Sequence, residues 1–197
     1  MDIYAINSEY IDYLRKFDKK VMENEKEYGV VRPYIGVVFK VDSFNYFVPL
    51  SSPKDDDYVI IKGGKVLRKS VTPIHRIKII TSYIENGQRK EQIDFLGKLL
   101  FSNMIPVPES ELNLIDLDNY PNEKYKLLLQ NQIRYLRKNQ SKLEKNHAKL
   151  IYKQKINNEK IGYVYSTVNF KLLEEKYNEF KNGKEAAIDK EEDNPTT

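Results

Sequence analysis

The chain has 197 residues, of which 40% are hydrophobic and 31% charged, with a formal net charge of +4. That length suits one domain with a real core, and no run approaches the roughly 20 apolar residues of a membrane span. With no cysteine, disulfides and thiolate metal sites are excluded. The start, MDIYAINSEYIDYLRKF, lacks the basic-then-apolar pattern of a secretory signal, so a cytoplasmic protein is expected.

Ile3 to Ile6 reads as a short strand, and Asn7-Ser8 as a helix N-cap. Tyr10, Tyr13, Leu14 and Phe17 then share one helix face, at i, i+3, i+4 and i+7, turned to the core. The charged stretch DKKVMENEKEYGVVRP reads as a loop. From Tyr34, YIGVVFKV and NYFVPL are rich in β-branched and aromatic residues, with DSF as the turn between two strands. YVII, Gly63-Gly64 and KVL form a second hairpin. No G-x-x-x-x-G-K-[ST] occurs, so a hairpin turn accounts for the paired glycines better than a phosphate loop does. RIKIITSYI, a turn over ENGQRK and EQIDFLGKLLF make a third pair, and MIPVP ends the β region.

After Pro121 the period changes. Tyr125, Leu128, Leu129, Ile133 and Leu136 recur at helical spacing in a run without Gly or Pro until Gly162, predicting one long helix or two shorter ones. Val168, Leu172, Leu173, Tyr177 and Phe180 set a last helix on the core. The expected fold class is α+β: a mainly antiparallel sheet with helices packed on it. Residues 1–181 form one domain, and residues 182–197 an acidic, disordered tail with little to bury.

Charge is unevenly spread. Between Pro121 and Lys160 there are eleven Lys or Arg residues against three acids, a pattern that fits a solvated helix face and a polyanion-binding one alike. No metal site is expected. His75 and His147 are the only histidines and lie far apart in sequence, and Asp55 to Asp57 lack EF-hand spacing and read as a solvated turn. Phosphate chemistry is better served by NYFVPLSSPK, residues 45–54, where a strand delivers two hydroxyls and a lysine to one turn. Serine hydroxyls, turn N–H groups and an ammonium are the donors a phosphate needs, and Pro53 stiffens their placement.

This turn sits among further blocks. In order, IYAINSEYIDYLRKFDKKV, RPYIGVVFKVDSFNYFVPLSSPK, NMIPVPESELNLIDL and NFKLLEEKYNEF resemble the ToxN/AbiQ family, the protein halves of type III toxin–antitoxin systems. The resemblance runs from Ile3 to Phe180 and is weakest over Asp55 to Lys90 and Ser141 to Lys160. It implies a twisted antiparallel sheet wrapped by helices, similar to MazF/Kid ribonuclease toxins. It also implies a metal-independent endoribonuclease without cofactor, which cuts target RNA and its own precursor antitoxin RNA. The partner would be that antitoxin, a tandem-repeat structured RNA that binds the active-site groove, often in closed protein–RNA assemblies, and many such systems abort phage infection. No membrane partner is implied. The family's Thr/Ser-Ser-Pro-Lys turn falls on Ser51, Ser52, Pro53 and Lys54, its Tyr and basic residue on Tyr28 and Arg32, and its Tyr-Lys on Tyr125 and Lys126. Some members carry Lys where this chain has Arg32.

Metal-free RNA cleavage uses the ribose 2′-OH as nucleophile and leaves a 2′,3′-cyclic phosphate and a 5′-OH. On this reading Ser52 and Ser51 grip the phosphate, and Lys54 and Lys126 stabilise the transition state electrostatically. Tyr28, Arg32, Tyr125, Arg134 and Lys138 contact RNA. The alternatives are a non-catalytic RNA-binding module and a domain that docks its basic helix on an acidic protein.

Overall fold

A computed structural model describes residues 1–24, 31–62 and 64–192. The sheet has seven strands: β1 (Asp2–Ile6), β2 (Pro33–Val41), β3 (Phe44–Ser51), β6 (Ile74–Glu85), β7 (Gln88–Leu100), β8 (Ile105–Pro106) and β9 (Leu112–Leu114). The order is β6-β7-β3-β2-β1-β9, with β8 also on β3. Every pairing is antiparallel. A separate hairpin, β4 (Tyr58–Ile61) with β5 (Gly64–Leu67), follows the end of β3. Helices α1 (Ser8–Phe17), α2 (Glu123–Leu143), α3 (Lys149–Ile156), α4 (Gly162–Ser166) and α5 (Phe170–Glu192) complete the α+β fold expected from the sequence.

The early elements follow local chemistry. Asn7 caps α1, its side-chain oxygen accepting the Glu9 N–H at 3.1 Å. The buried side of that helix is Tyr10, Ile11 and Leu14, whereas Phe17 is partly exposed, stacked at its edge on Tyr13 and beneath the Lys176 ammonium. The sheet curves over a core rich in rings. Tyr46 and Tyr152 both donate to one oxygen of the buried Glu174, at 2.8 and 2.6 Å, which ties β3 to α3 and α5.

Three elements depart from the sequence reading. The third hairpin turns on Asn86-Gly87 alone, both at positive φ, so Gln88 to Lys90 belong to β7 and not to the turn. The β region does not end at MIPVP: Leu112 to Leu114 pair with β1. The basic segment is helical from Glu123 to Ile156, as the sequence predicts; what the sequence did not show is the π-helical stretch at Glu144–Ala148 between α2 and α3, which turns His147 and Ala148 inward. In addition, α5 continues to Glu192, through most of the acidic stretch read as a tail. Lys, Glu and Ala there are good helix formers.

Gly36 on β2 has the Phe47 ring where a side chain would stand, with the nearest ring carbon 1.9 Å from a Cβ placed there. Phe47 is itself buried and has no room to retreat. Gly36→Ala should therefore destabilise the protein by about 2–3 kcal/mol, read as a lower urea midpoint at unchanged m-value.

Candidate active site

The Ser51–Lys54 turn begins where β3 ends. Leu50 and Ser51 pair with Leu99 and Lys98 of β7, and the chain then leaves the sheet. The Ser51 side chain is buried, while Ser52, Pro53 and Lys54 are exposed. Among the described residues no ion pair or hydrogen bond engages the Lys54 ammonium. Arg32 is buried behind the strand end. Its Nε donates to the Glu23 carbonyl at 2.9 Å, and Nη1 lies 3.5 Å from the Leu50 carbonyl. Burial lowers its pKa below the usual arginine value, and the guanidinium remains charged.

The turn is held from below by one carboxylate. Asp57 is fully buried, 0% exposed. Its Oδ1 accepts from Nε and Nη2 of Arg76 at 3.0 and 2.9 Å. Its Oδ2 accepts from the Lys98 ammonium at 2.7 Å and from the Lys54 backbone N–H at 3.0 Å. Desolvation acts to raise the Asp57 pKa. The hydrogen bonds from Lys98 and the Lys54 N–H, with the charges of Lys98 and Arg76, outweigh it and hold the carboxyl below the ordinary carboxylate value. So only Asp55 and Asp56 are the solvated turn expected from the sequence; Asp57 is an internal counter-ion facing two buried cations. An isolated charge there would cost several kcal/mol, which is why the two cations accompany it.

Helix α2 forms the facing wall. Asn122 caps it by accepting the Tyr125 N–H at 2.9 Å. A narrow cleft is lined by Pro33, Leu50, Ser51, Ser52, Leu96, Tyr125, Leu128 and Gln132. The structure thus brings Ser51, Ser52 and Tyr125 together, with Arg32 behind the strand. It places Lys126 elsewhere: its ammonium donates to the Asp118 carbonyl at 2.9 Å and lies 3.5 Å from Glu123. At about 100° per residue, Arg134 and Lys138 stand on the far side of α2 from Tyr125. There they line a cleft of about 540 Å³ with Leu117, Gln130, Ile133 and Arg137. Tyr28 lies outside the described residues.

The two histidines, distant in sequence, meet. His75 Nδ1 and His147 Nε2 are 3.1 Å apart, His75 Nε2 is 3.0 Å from the Tyr135 hydroxyl, and His147 Nδ1 is 2.9 Å from the Thr72 carbonyl. That carbonyl only accepts. His147 Nδ1 therefore donates to it, His75 Nδ1 donates to His147 Nε2, and the tyrosine donates to His75. The last two directions are those of two neutral rings, the form that burial favours in both.

A family model described as "Toxin ToxN, type III toxin-antitoxin system" matches residues 2–178. The chain belongs to this family. Similar proteins include Endoribonuclease ToxN of Pectobacterium atrosepticum, 36% identical over 187 residues that cover 94% of this chain and 96% of that one. Endoribonuclease AbiQ of Lactococcus lactis subsp. lactis is 38% identical over 174 residues, 88% of this chain and 85% of that one. A solved chain from a bacterial antiviral system regulated by a processed non-coding RNA superposes with a TM-score of 0.71 at 31% identity, covering 90% of this chain and 98% of that one. The ToxN/AbiQ resemblance and the expected fold are therefore correct.

Asp57, Arg76, Lys98 and Gln132 escaped the sequence reading of this ToxN-family chain. One signal was visible: Lys98 interrupts the apolar run FLGKLLF, where a charge in a strand requires a partner. Asp57→Asn should lower stability by about 3–5 kcal/mol at pH 7, measured by urea denaturation. Because the folded carboxyl titrates below its unfolded value of about 3.9, this contribution is present above about pH 4 and is lost as pH falls further. Desolvation, then the neighbouring His147 and Lys142, push His75 down to about 4, and desolvation likewise lowers His147. A depressed histidine stabilises above its unfolded pKa of about 6.5 and loses that contribution as pH drops. Stability should thus fall by about 3 kcal/mol between pH 6.5 and 4, and His75→Gln should flatten that slope.

Proposed function

We propose that this protein is an endoribonuclease toxin that cuts RNA at the Ser51–Lys54 turn and is restrained by a repeated, structured antitoxin RNA. The observation that carries the reading is the turn itself: an exposed Ser52 and a Lys54 ammonium unengaged among the described residues, on a backbone pinned by the buried Asp57, in a chain of the ToxN family. The relatives named endoribonucleases, and the antiviral system regulated by a processed non-coding RNA, support the same activity and partner.

The reaction is attack of the substrate's 2′-OH on the adjacent phosphorus, with departure of the 5′ oxygen, giving a 2′,3′-cyclic phosphate and a 5′-OH. No metal is required for that displacement. The protein's task is to hold the three reacting centres in line and to stabilise the added negative charge. Ser52 and the turn N–H groups grip the non-bridging oxygens, and Lys54 supplies its ammonium charge at the phosphate. Arg32 adds field from beneath the strand end. Tyr125 offers a ring to an unstacked base. Arg134 and Lys138, on the far face of α2, suit the longer antitoxin RNA more than the scissile phosphate, and Lys126 acts at the helix start.

Lys54→Met should lower the cleavage rate at least about 100-fold while RNA affinity in a gel shift changes little; undiminished cleavage overturns its role. Ser52→Ala should act likewise and relieve the growth arrest caused by expressing the toxin alone. Wild-type protein that binds RNA but cuts none would support the non-catalytic RNA-binding module instead. RNA affinity should fall steeply with salt as counterions are released, and a flat dependence would exclude a polyanion partner.

A further inference from the structure

Gln132 lies on the core-facing side of α2, 4% exposed, and lines the same narrow cleft as Ser51, Ser52 and Tyr125. Its amide has a defined orientation. Nε2 donates to the Leu96 carbonyl at 2.6 Å, and exchanging N for O would set two acceptors against each other. The oxygen Oε1 is buried and, among the described residues, has no hydrogen-bond partner. The arrangement is built by a β-bulge. Ile77 opposes Gly97 and Lys78 opposes Phe95, leaving Leu96 as an extra residue whose carbonyl turns to Gln132. Gly97, at φ +130°, lets this happen: a Cβ there would lie 2.8 Å from the Ser51 carbonyl oxygen and 3.1 Å from Gln132 Nε2.

A buried amide oxygen without a donor costs free energy, and one beside the proposed cutting turn is placed to recover it from a ligand. We infer that Gln132 Oε1 is a specificity-determining acceptor for a hydrogen-bond donor of the bound RNA strand, next to the phosphate held at Ser51–Lys54. The inference rests on the ribonuclease reading above. The space is small, about 10 Å³, so it admits a donor tip and not a whole base. Two RNA groups have that shape: the exocyclic amine of a base and the 2′-OH of a ribose other than the attacking one. A nucleotide offering no donor at this position leaves Oε1 unpaired and is disfavoured, which is how a single buried acceptor discriminates.

The test uses the full chain and a short single-stranded RNA that it cuts at one mapped position. Near the cut, each nucleotide in turn loses one donor. Purine replaces adenine, hypoxanthine replaces guanine, 2-pyrimidinone replaces cytosine, or a deoxyribose replaces a ribose whose 2′-OH is not the nucleophile. kcat/KM is measured for wild type and for Gln132→Leu. One deletion should cost the wild type about tenfold and Gln132→Leu less than about twofold, and the atom removed tells amine from 2′-OH. A merely structural Gln132 would slow every substrate by the same factor, and that result overturns the inference while leaving the ribonuclease reading intact. If Gln132→Leu does not fold, the wild-type series decides: no deletion costing more than about twofold overturns it equally. Wild type that cuts no RNA at all overturns both.

Discussion

One buried carboxylate organises the far end of β3. Asp57 accepts from Arg76 on one oxygen, and from Lys98 and the Lys54 backbone on the other. Every acceptor direction is occupied, and Lys98 also lies 3.6 Å from Asp56, so the two buried cations are matched by two carboxylates. The arrangement joins three pieces of chain: the turn after β3, the start of β6 and the end of β7. Without it, Ser52 and Lys54 would sit on an ordinary surface loop, free to wander by more than the proposed in-line displacement tolerates.

The second constraint is the bulge at Leu96–Gly97. It breaks the regular β6–β7 ladder where β7 meets the end of β3, and it gives α2 a carbonyl to dock on through Gln132. A sheet edge, a turn and a helix therefore converge on one narrow cleft. The two faces of α2 divide their duties accordingly. Tyr125, Leu128 and Gln132 face the turn, while Arg134, Arg137 and Lys138 line a wider basic cleft on the other side. A helix with apolar and amide groups toward the proposed chemistry and cations away from it suits the proposed division between cutting a strand and holding a larger RNA.

Ionisation follows the same logic of burial. Asp57 is kept charged by its partners, whereas burial keeps His75 and His147 neutral within a chain of hydrogen bonds from Tyr135 to the Thr72 carbonyl. The pair therefore serves packing between the start of β6 and the π-helical stretch. His147 also stacks on Phe101, with centroids 5.0 Å apart. Their contact with each other could not be read from residues 72 positions apart.

The residue pattern by itself determined the class of the fold, most of its strands, the N-cap at Asn7, the long basic helix and the ToxN/AbiQ family. These depend on local periodicity, or on ordered blocks of residues that survive in one dimension. The Ser51–Lys54 turn was legible for the same reason, as a strand ending in donors. Tertiary structure decided what one dimension does not encode. Asp57 reads as one of three solvated acids until Arg76 and Lys98 arrive from separate strands, and β9 is too short to register except through its pairing with β1. Gln132 is one more polar residue on a helix until folding buries its oxygen beside Ser51. Each of those outcomes depends on desolvation and on partners brought from far along the chain, and only the folded protein supplies both.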